Sequence, residues 1–588
     1  MGGRRGSPRR GGKRGRGAQL AALLAATGAA AAARGGFQAR GGDWWPDLGP
    51  YRFEVDSGSA EARRLASVGM ALGFNFNQEE ARRAWGGAVR ADPRCALCAW
   101  GLSFSYAPFL NKPAMTADDF EGGLAAAELA QAAVSRAAKE GRSTSLRVRG
   151  LVAAQAARFA PGGSRLGQNA GAHAYQRAML ALAEALPRDS DVLALAAEAT
   201  MLLHCDGDGY HFWTADRRAL VPDGVLAAGL LERTVDAATV GGPHHPFALH
   251  LQIHLHEALV DGGAGRATAA AEALVAELGQ SQAGHLQHMP SHTFLRVGRY
   301  AEAVAANVAA HSSNAVYLAQ NRTPYGLGHN AAFLIYAADM AGLRAVSRDY
   351  GLVLRKIYAE PVEGDGMAQL RWNLPLASKV RFGDWAGILA DASAQPQGGT
   401  YPYAAVLRSY ARGLALIWSK RPREAEAELD ALKTAAAAAE PFFEGFTKVA
   451  RLVLEAALCV ADARCQGTGA RGGSAAAGIS RLRDAAHEQA SWAYDEPPAF
   501  HMPVAQCLGE ALLAVGQPAA ALAAFSDDLA DPAPANPWSL YGALRALRAL
   551  PGPAAAAEAA ALAPRLRAAW RGPGASPASS CAALAPLQ

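Results

Sequence analysis

The sequence is poor in the residues and patterns that mark several classes of protein. Seven cysteines among 588 residues are few, and an odd number cannot all pair within the chain, so we do not expect a disulfide scaffold. No apolar run reaches the roughly 20 uncharged residues that a membrane-spanning helix needs, which argues against an integral membrane protein. No run of alternating β-branched residues marks a strand, and no glycine-rich phosphate-binding motif is found, so we expect no nucleotide.

Charged residues are also sparse, at 19% of the chain, and they are distributed unevenly. Lysine and arginine number 57 against 52 acidic residues, but eight of the basic residues lie in residues 1–34, which contain no acid. The rest of the chain therefore carries 49 basic and 52 acidic residues, a net charge of −3. Because this body has no positive field to attract a polyanion, we expect no nucleic-acid partner.

Residues 1–43 are predicted to be a targeting leader and linker. A basic segment of 17 residues precedes an alanine-rich apolar run, Ala18–Ala33, with Ala-x-Ala cleavage options near its end. This order is typical of a secretory signal peptide, so we favour an exported protein. The lack of acidic residues in residues 1–34 also fits an organellar transit peptide. A third interpretation of this segment is an Arg/Gly-rich disordered arm.

The body, residues 44–562, is predicted to be all-α. From Ser59 onward apolar residues recur every three or four positions and alanine and leucine dominate, the pattern of amphipathic helices. Short turns such as Asp92-Pro93 divide the helices into hairpins that repeat along the chain. Stacked hairpins of this kind form a solenoid, or superhelix, with a concave surface. Residues 563–588 are predicted to be an Ala/Pro-rich tail.

Histidine is concentrated in one part of this body. Twelve of the 15 histidines lie between His204 and His329, where an even spread would place about three. Some of them are interpreted as ordinary surface or capping residues: His204, His211, His244, His256 and His311.

The first histidine segment places its side chains on one helix face. Pro246 is well suited to the first helical position. From there His250, His254 and Glu257 follow at i, i+4 and i+7, which brings them to one side of the helix.

A second segment repeats this arrangement. His285, His288 and His292 fall at i, i+3 and i+7 if the helix runs through Pro290; if the helix begins at Pro290, the first two lie in the entering turn. His329 opens a later helix and could supply a further ligand.

Neutral imidazole is a good ligand for zinc, copper or iron, and two histidines one helical turn apart can hold one ion. We therefore predict a transition-metal site, either mononuclear with supporting partners or dinuclear. The alternative is a set of buried, hydrogen-bonded core histidines. The predicted ligands are His250, His254, Glu257, His285, His288, His292 and His329.

Familiar catalytic patterns are missing from the histidine segments. Leu251 occupies the position of the general base in the HExxH motif of metalloproteases. His254 and Glu257 have the reverse order of the Glu-x-x-His pattern of di-iron proteins. Ser291 adjoins His292 but would point elsewhere on a helix, which argues against a catalytic triad.

Two other segments carry candidate groups. Cys95 and Cys98 are interpreted as small packing residues, with a disulfide or redox pair as the alternative. Tyr494–His501 contains acids and a histidine that could join the site if the solenoid curls round; otherwise these acids only complement a helix dipole.

The body carries the motifs FNxxEA (Phe76–Ala81), HPxxxHxxIHxxE (His245–Glu257), GHLxHMPSH (Gly284–His292), RFGxW (Arg381–Trp385) and YDEPP (Tyr494–Pro498). Together these motifs resemble a family of tetratricopeptide-repeat proteins found mostly in bacteria, usually predicted to be exported and mostly without an assigned activity. The resemblance spans most of the body. It implies a repeat superhelix and makes the histidine cluster a site of the family, but it implies no activity. Gln78 departs from the family pattern, which often has histidine there.

We therefore expect a targeted solenoid with a His/Glu site on its concave face. Three functions of different class fit this expectation. A metal-binding protein would use the site directly. A plain scaffold would hold a protein or peptide in its groove. A metal-dependent hydrolase would add a general base, for which Glu257 or Asp495 is the candidate. The pattern identifies no catalytic residue, and it leaves the oligomeric state open.

Overall fold

The computed structural model describes residues 44–159, 170–207, 209–237, 244–395, 400–439, 444–461, 474–530 and 534–584. The chain divides into two units, Met1–Trp44 and Trp45–Gln588, and the account below concerns the second. The predicted targeting leader, residues 1–43, lies outside the described residues and stays a prediction.

Helices make up nearly all of the regular structure in the described residues. The first part contains α1 (Ala60–Phe74), α2 (Gln78–Ala91), α3 (Ala96–Phe104), α4 (Ala117–Lys139), α5 (Leu146–Arg158), α6 (Ala170–Ala185), α7 (Ser190–Met201) and α8 (Pro222–Ala237). The middle part contains α9 (Pro246–His256), α10 (Thr268–Leu278), α11 (Gly284–His288), α12 (Pro290–Arg296), α13 (Tyr300–Ala319), α14 (Leu327–Ala341), α15 (Arg344–Ile357), α16 (Gly366–Arg381) and α17 (Trp385–Leu389).

The last part contains α18 (Pro402–Trp418), α19 (Pro422–Ala437), α20 (Glu444–Ala461), α21 (Ser474–Ala490), α22 (Val504–Ala514), α23 (Pro518–Ala530), α24 (Pro537–Ala549) and α25 (Pro553–Ala569). Short 3-10 turns lie at Leu202–His204, Gly263–Ala267 and Ala392–Ala394. The strands described are β1 (Cys205–Asp206) and β2 (Gly209–Tyr210), which pair antiparallel.

Local side chains fix where many helices begin. The Ser59 hydroxyl accepts a hydrogen bond from the amide of the third residue along, and Asp189 does the same at the start of α7. At α4, Thr116 and Asp119 form a reciprocal capping box. These caps satisfy amide groups that would otherwise lack partners, so the helix starts follow from the local sequence.

The helices pack mainly on their neighbours in sequence. Examples are α1 on α2, α3 on α4, α18 on α19 and α20 on α21. This neighbour-to-neighbour packing is the organisation of a helical-repeat solenoid, so the all-α, repeat prediction is confirmed. The tetratricopeptide assignment depends on the sequence motifs and stays a prediction.

Contacts between helices distant in sequence close the region around the histidines. Helix α9 packs on α1 and α12, and α11 packs on α13. Helix α14 in turn contacts α24. The histidine segments therefore contact helices from the first and middle parts of the chain, and α14 connects the middle part to α24 in the last part.

The disulfide bonds of the structure correct the interpretation of Cys95 and Cys98. Cys95 and Cys98 form a disulfide, so the interpretation as packing residues is wrong and its alternative holds. A second disulfide joins Cys507 in α22 to Cys581. The predicted boundary of the Ala/Pro-rich tail, after residue 562, lies within α25, and Cys581 and Leu584 are buried in the core.

No helix in the described part of the chain has both the length and the apolar character that a bilayer crossing requires.

Candidate metal centre

Helix α9 presents the first group of ligands. It begins at Pro246, as predicted, and His245 caps it by accepting a hydrogen bond from the Ala248 amide. His250 and His254 lie one turn apart on its buried side, and Glu257 follows directly after the last helical residue. Their exposed fractions are 0%, 2% and 3%, so none of the three faces open solvent.

The second histidine segment combines the two geometries considered for it. Helix α11 ends at His288 and α12 begins at Pro290, but Met289 between them has helical dihedrals, φ −52° and ψ −39°. The proline interrupts the hydrogen-bond ladder because it has no amide hydrogen, while the path of the chain stays helical. His285, His288 and His292 consequently keep their positions on one face.

Two more side chains reach the same place from elsewhere in the chain. His329 lies near the start of α14, as the sequence predicts. Glu496 lies in the segment between α21 and α22, and its carboxylate is 2.6 Å from the Nδ1 atom of His292. The segment Tyr494–His501 therefore supplies one acid to the site, and that acid is Glu496.

The imidazole rings form a continuous cluster. Ring centroids are 4.9 Å apart for His250 and His254 and for His250 and His285. The His288 ring lies 5.8 Å from that of His285 and 4.9 Å from that of His292. All seven predicted ligands thus lie together, and with Glu496 they form what we call the His/Glu cluster.

Three sets of side chains within the cluster could each hold one metal ion. In each set the potential ligand atoms all lie within 4.8 Å of one another. The sets are His250, His254 and His285; His288, His292 and His329; and Glu257, His292 and Glu496.

Hydrogen bonds to the outer ring nitrogens fix the orientation of three histidines. The Nδ1 atom of His250 lies 3.0 Å from the Phe74 carbonyl oxygen, so Nδ1 carries the proton and donates. His288 donates from Nδ1 to the Asn307 Oδ1 atom at 2.7 Å. His254 donates from Nδ1 to Glu257 Oε1 at 3.2 Å. In His250 and His254 the Nε2 lone pair is left for a ligand, the usual arrangement around protein-bound metals, whereas Nε2 of His288 lies 3.0 Å from Nε2 of His292.

Four inner ring nitrogens of the cluster have no hydrogen-bond partner among the described residues: Nε2 of His250, Nε2 of His254 and both ring nitrogens of His285. Nδ1 of His292 lies at ion-pair distance from the Oε2 atoms of Glu257 and Glu496, 2.9 Å and 2.6 Å away. Buried polar atoms without partners cost about 1–3 kcal/mol each and are rare in native structures. A concentration of them at one point indicates a site made for a ligand.

Burial and mutual repulsion keep most of the rings neutral. Burial, together with the neighbouring histidines, lowers the pKa of His250, His285 and His288 well below the ordinary value, and it does the same for His329. Metal ions bind the neutral form of imidazole, so these four rings are in the form that coordinates.

His292 is the exception. Burial disfavours its charged form, but the carboxylates of Glu257 and Glu496 outweigh burial and raise the pKa of His292 to about 10. The two histidines beside Glu257 overcome the effect of its burial and lower its pKa. Without metal, the protein therefore balances the buried carboxylates with the His292 cation.

Aromatic side chains cover the cluster. Phe76 lies over the first group, with centroid distances of 4.4 Å to His250 and 5.0 Å to His285. Its backbone has φ 57°, an uncommon value for a bulky residue. Phe333 lies 4.4 Å from His292 on the other side. These rings exclude water and strengthen electrostatic interactions inside the site.

Other candidates lie outside the cluster. Asp495 lines a neighbouring cavity, and His501 pairs with Asp339. The Ser291 hydroxyl lies 3.4 Å from Nδ1 of His288 and makes no contact of this kind with His292. The five histidines interpreted as surface or capping residues contact other groups: Asp223 for His204, Asp206 for His211, Glu277 for His244, the Gln252 carbonyl for His256 and the Tyr350 ring for His311.

Sequence reasoning did not find the groups that orient the ligands. Phe74 and Asn307 are needed only because they lie beside histidines from other helices. Asn75 likewise accepts a hydrogen bond from the Leu286 amide and so positions the start of α11. The available signal was the aromatic and amide-rich segment Gly73–Asn77, which contains Phe74, Asn75 and Phe76 and runs into the FNxxEA motif.

No family model and no curated protein matches the chain. Among solved structures, a chain of the structure of Naa15/Naa10 bound to HypK-THB matches with 13% sequence identity and a TM-score of 0.19. The match covers 93% of this chain and 68% of that chain. A likeness of this degree indicates nothing about the ligand or the partners of the present protein.

Proposed function

We propose that this protein binds a transition metal ion, zinc, copper or iron, in the His/Glu cluster of its helical solenoid. The observation that carries the proposal is the set of four buried ring nitrogens, in His250, His254 and His285, that have no hydrogen-bond partner among the described residues. An ordinary histidine-rich core would satisfy these atoms with hydrogen bonds, because leaving them unpaired is costly.

The donor set and its spacing support a metal ligand. Imidazole and carboxylate together suit zinc, copper and iron. The Nε2 atoms of His288 and His292 are 3.0 Å apart. Two nitrogens bound tetrahedrally at about 2.0–2.1 Å from one ion lie roughly 3.3 Å apart, so a small adjustment would accommodate the ion.

Elemental analysis of the purified chain tests the proposal. We expect about one or more equivalents of zinc, copper or iron in the wild type, as isolated or after reconstitution. The variant H250A/H292A removes one ligand from each part of the cluster and should lose most of the metal. His256→Ala is the matched control, because His256 lies on the same helix but bonds the Gln252 carbonyl and lies outside the cluster.

Circular dichroism of each preparation shows whether the helices are retained. Absence of metal from the reconstituted wild type would refute the proposal. Equal metal in the wild type and in folded H250A/H292A would also refute it, because the metal would then bind elsewhere.

A metal-dependent hydrolase is a second candidate, and a specific cavity supports it. A cavity of about 570 Å³ borders the cluster at Glu496, and Tyr494, Asp495 and Arg296 line it as well. A small molecule in this cavity would lie beside the carboxylate side of the cluster. Hydrolysis of model esters by the metal-loaded protein, lost in Asp495→Asn with metal content unchanged, is the expected result; no hydrolysis with any of the three metals would exclude this candidate.

A further inference from the structure

His292 occupies a special position because its two ring nitrogens face different partners. Its Nε2 atom lies 3.0 Å from Nε2 of His288. Its Nδ1 atom lies 2.9 Å from Oε2 of Glu257 and 2.6 Å from Oε2 of Glu496. The ring therefore stands between a group of histidines and a pair of carboxylates.

Each side of the ring belongs to a separate set of potential ligands. On the Nε2 side the set is completed by His288 and His329, and on the Nδ1 side by Glu257 and Glu496. His292 is the member that the two sets share. The His292 side chain can therefore coordinate two ions, because each of the two nitrogens of an imidazole ring can bind a metal.

The arrangement on the Nδ1 side differs from an ordinary histidine–carboxylate hydrogen bond. Such a bond needs one acceptor aligned with the ring N–H. Here two carboxylates crowd one nitrogen, and Nδ1 of His292 and both Oε2 atoms lack a properly directed hydrogen bond in spite of the short distances. A cation among these three atoms would satisfy all of them and would offset the repulsion between the two carboxylates.

The surrounding contacts hold both sides in place. On the Nε2 side, His288 is oriented by Asn307, whose own amide donates to the Ala303 carbonyl. On the Nδ1 side, Oε1 of Glu257 accepts from His254, so that Oε2 points to His292. The side chains of His292, Glu257 and Glu496 are only 7%, 3% and 6% exposed.

From this geometry we infer that His292 bridges two transition metal ions as an imidazolate. Nε2 binds the ion shared with His288 and His329, and Nδ1 binds the ion shared with Glu257 and Glu496. The ring protons of His292 pass to solvent as the ions bind. The imidazolate and two carboxylates supply three negative charges against the four positive charges of two divalent ions, which lowers the cost of burying them. This inference rests on the proposed metal-binding function.

Copper(II) is a suitable probe for the full-length chain. Elemental analysis counts the copper ions, and electron paramagnetic resonance counts the unpaired spins. Two copper(II) ions joined by an imidazolate couple antiferromagnetically, so we expect at least two coppers per chain and about two fewer spins than coppers. Glu496→Gln should lose about one copper per chain and regain about one spin, because the copper left on Nε2 is then isolated.

Asp527→Asn is the control, since Asp527 lines the same cavity but lies outside the cluster, and it should match the wild type. If Glu496→Gln does not fold by circular dichroism, Glu257→Gln removes the other carboxylate of the same ion and has the same expected result. Equal numbers of spins and coppers in the wild type would overturn the bridge and leave the metal-binding function intact. A wild type that binds no copper, zinc or iron would overturn both.

Discussion

Two groups of buried polar side chains differ in how far hydrogen bonds within the protein pair their polar atoms. The first group is the His/Glu cluster. The second group, which we call the Asp528 network, lies between α16, α22, α23 and α24. In it, Oδ2 of Asp528 accepts hydrogen bonds from Gln506 at 2.8 Å and from Asn536 at 2.9 Å. Arg381 donates to the Gln506 oxygen at 2.5 Å, and its guanidinium lies over the Trp538 ring. In the His/Glu cluster, by contrast, ring nitrogens of His250, His254 and His285 have no hydrogen-bond partner among the described residues.

The contrast distinguishes buried polar side chains that stabilise the fold from buried polar side chains that are available to a ligand. In the Asp528 network the side-chain amides and the carboxylate form hydrogen bonds with one another. Loss of one of these groups therefore leaves the others buried without that hydrogen bond. In the His/Glu cluster the hydrogen bonds lie on the outside of the rings and the lone pairs point inward. We therefore expect mutations in the network to affect folding and mutations in the cluster to affect binding.

The largest expected effect is on the stability of the network. Asp528→Ala removes the acceptor shared by Gln506 and Asn536 and should lower the free energy of unfolding by about 3–5 kcal/mol. Urea denaturation measures it. The neighbouring exposed Asp527→Ala should change stability by less than about 0.5 kcal/mol. Similar effects of the two substitutions would contradict a structural role for the network.

Glu198 extends the comparison to a buried acid that belongs neither to the Asp528 network nor to the His/Glu cluster. Burial raises the pKa of Glu198 from 4.5 to about 7, against the opposing charge of Arg158. The folded state thus holds a proton that the unfolded state releases, so stability is full below pH 4.5 and falls as pH rises to about 7. The loss at pH 8 should reach about 3 kcal/mol.

Urea denaturation between pH 4 and pH 8 checks this expectation with Glu198→Gln, which cannot ionise. Over that interval the wild type should lose about 3 kcal/mol more stability than the variant, because other buried acids titrate in both proteins. Parallel pH profiles would show that Glu198 does not titrate as described.

The cluster should gain stability from its ligand, whereas the network should not. At a free zinc concentration 100 times the dissociation constant, the free energy of unfolding should rise by about 2.7 kcal/mol. Thermal denaturation with and without zinc measures this rise. H250A/H292A should show no such rise, while Asp528→Asn should keep it even if its initial stability is lower. Loss of the rise in both variants would erase the distinction between the two regions.

The smallest expected effect concerns His285, since neither of its ring nitrogens has a hydrogen-bond partner among the described residues. Because His285→Leu breaks no hydrogen bond and removes a buried polar ring, it should change the stability of the metal-free protein by less than about 1 kcal/mol or increase it. Gln506→Leu in the Asp528 network should be clearly more destabilising in the same urea titration. A large decrease in the free energy of unfolding of the metal-free His285→Leu variant would indicate that His285 has a structural role.

Much of the cluster follows from spacing along single helices. The positions of His250 and His254 on α9, and of His288 and His292 near Pro290, follow from the helical repeat of 3.6 residues. Glu496 could be named as a candidate acid but not assigned to the site, because about 200 residues separate it from His292. The expected position on a concave face stays a prediction, whereas the burial of most of the ligands is what the structure shows.

The sequence by itself determined the helical character of the body, the starts of many helices and the faces that carry the histidines, because capping and periodicity act over a few residues. Tertiary structure alone decided that the two histidine helices meet, that Glu496 joins them and that Phe74 and Asn307 orient the rings. These contacts join distant parts of the chain, and they depend on how whole helices pack, which no local pattern encodes.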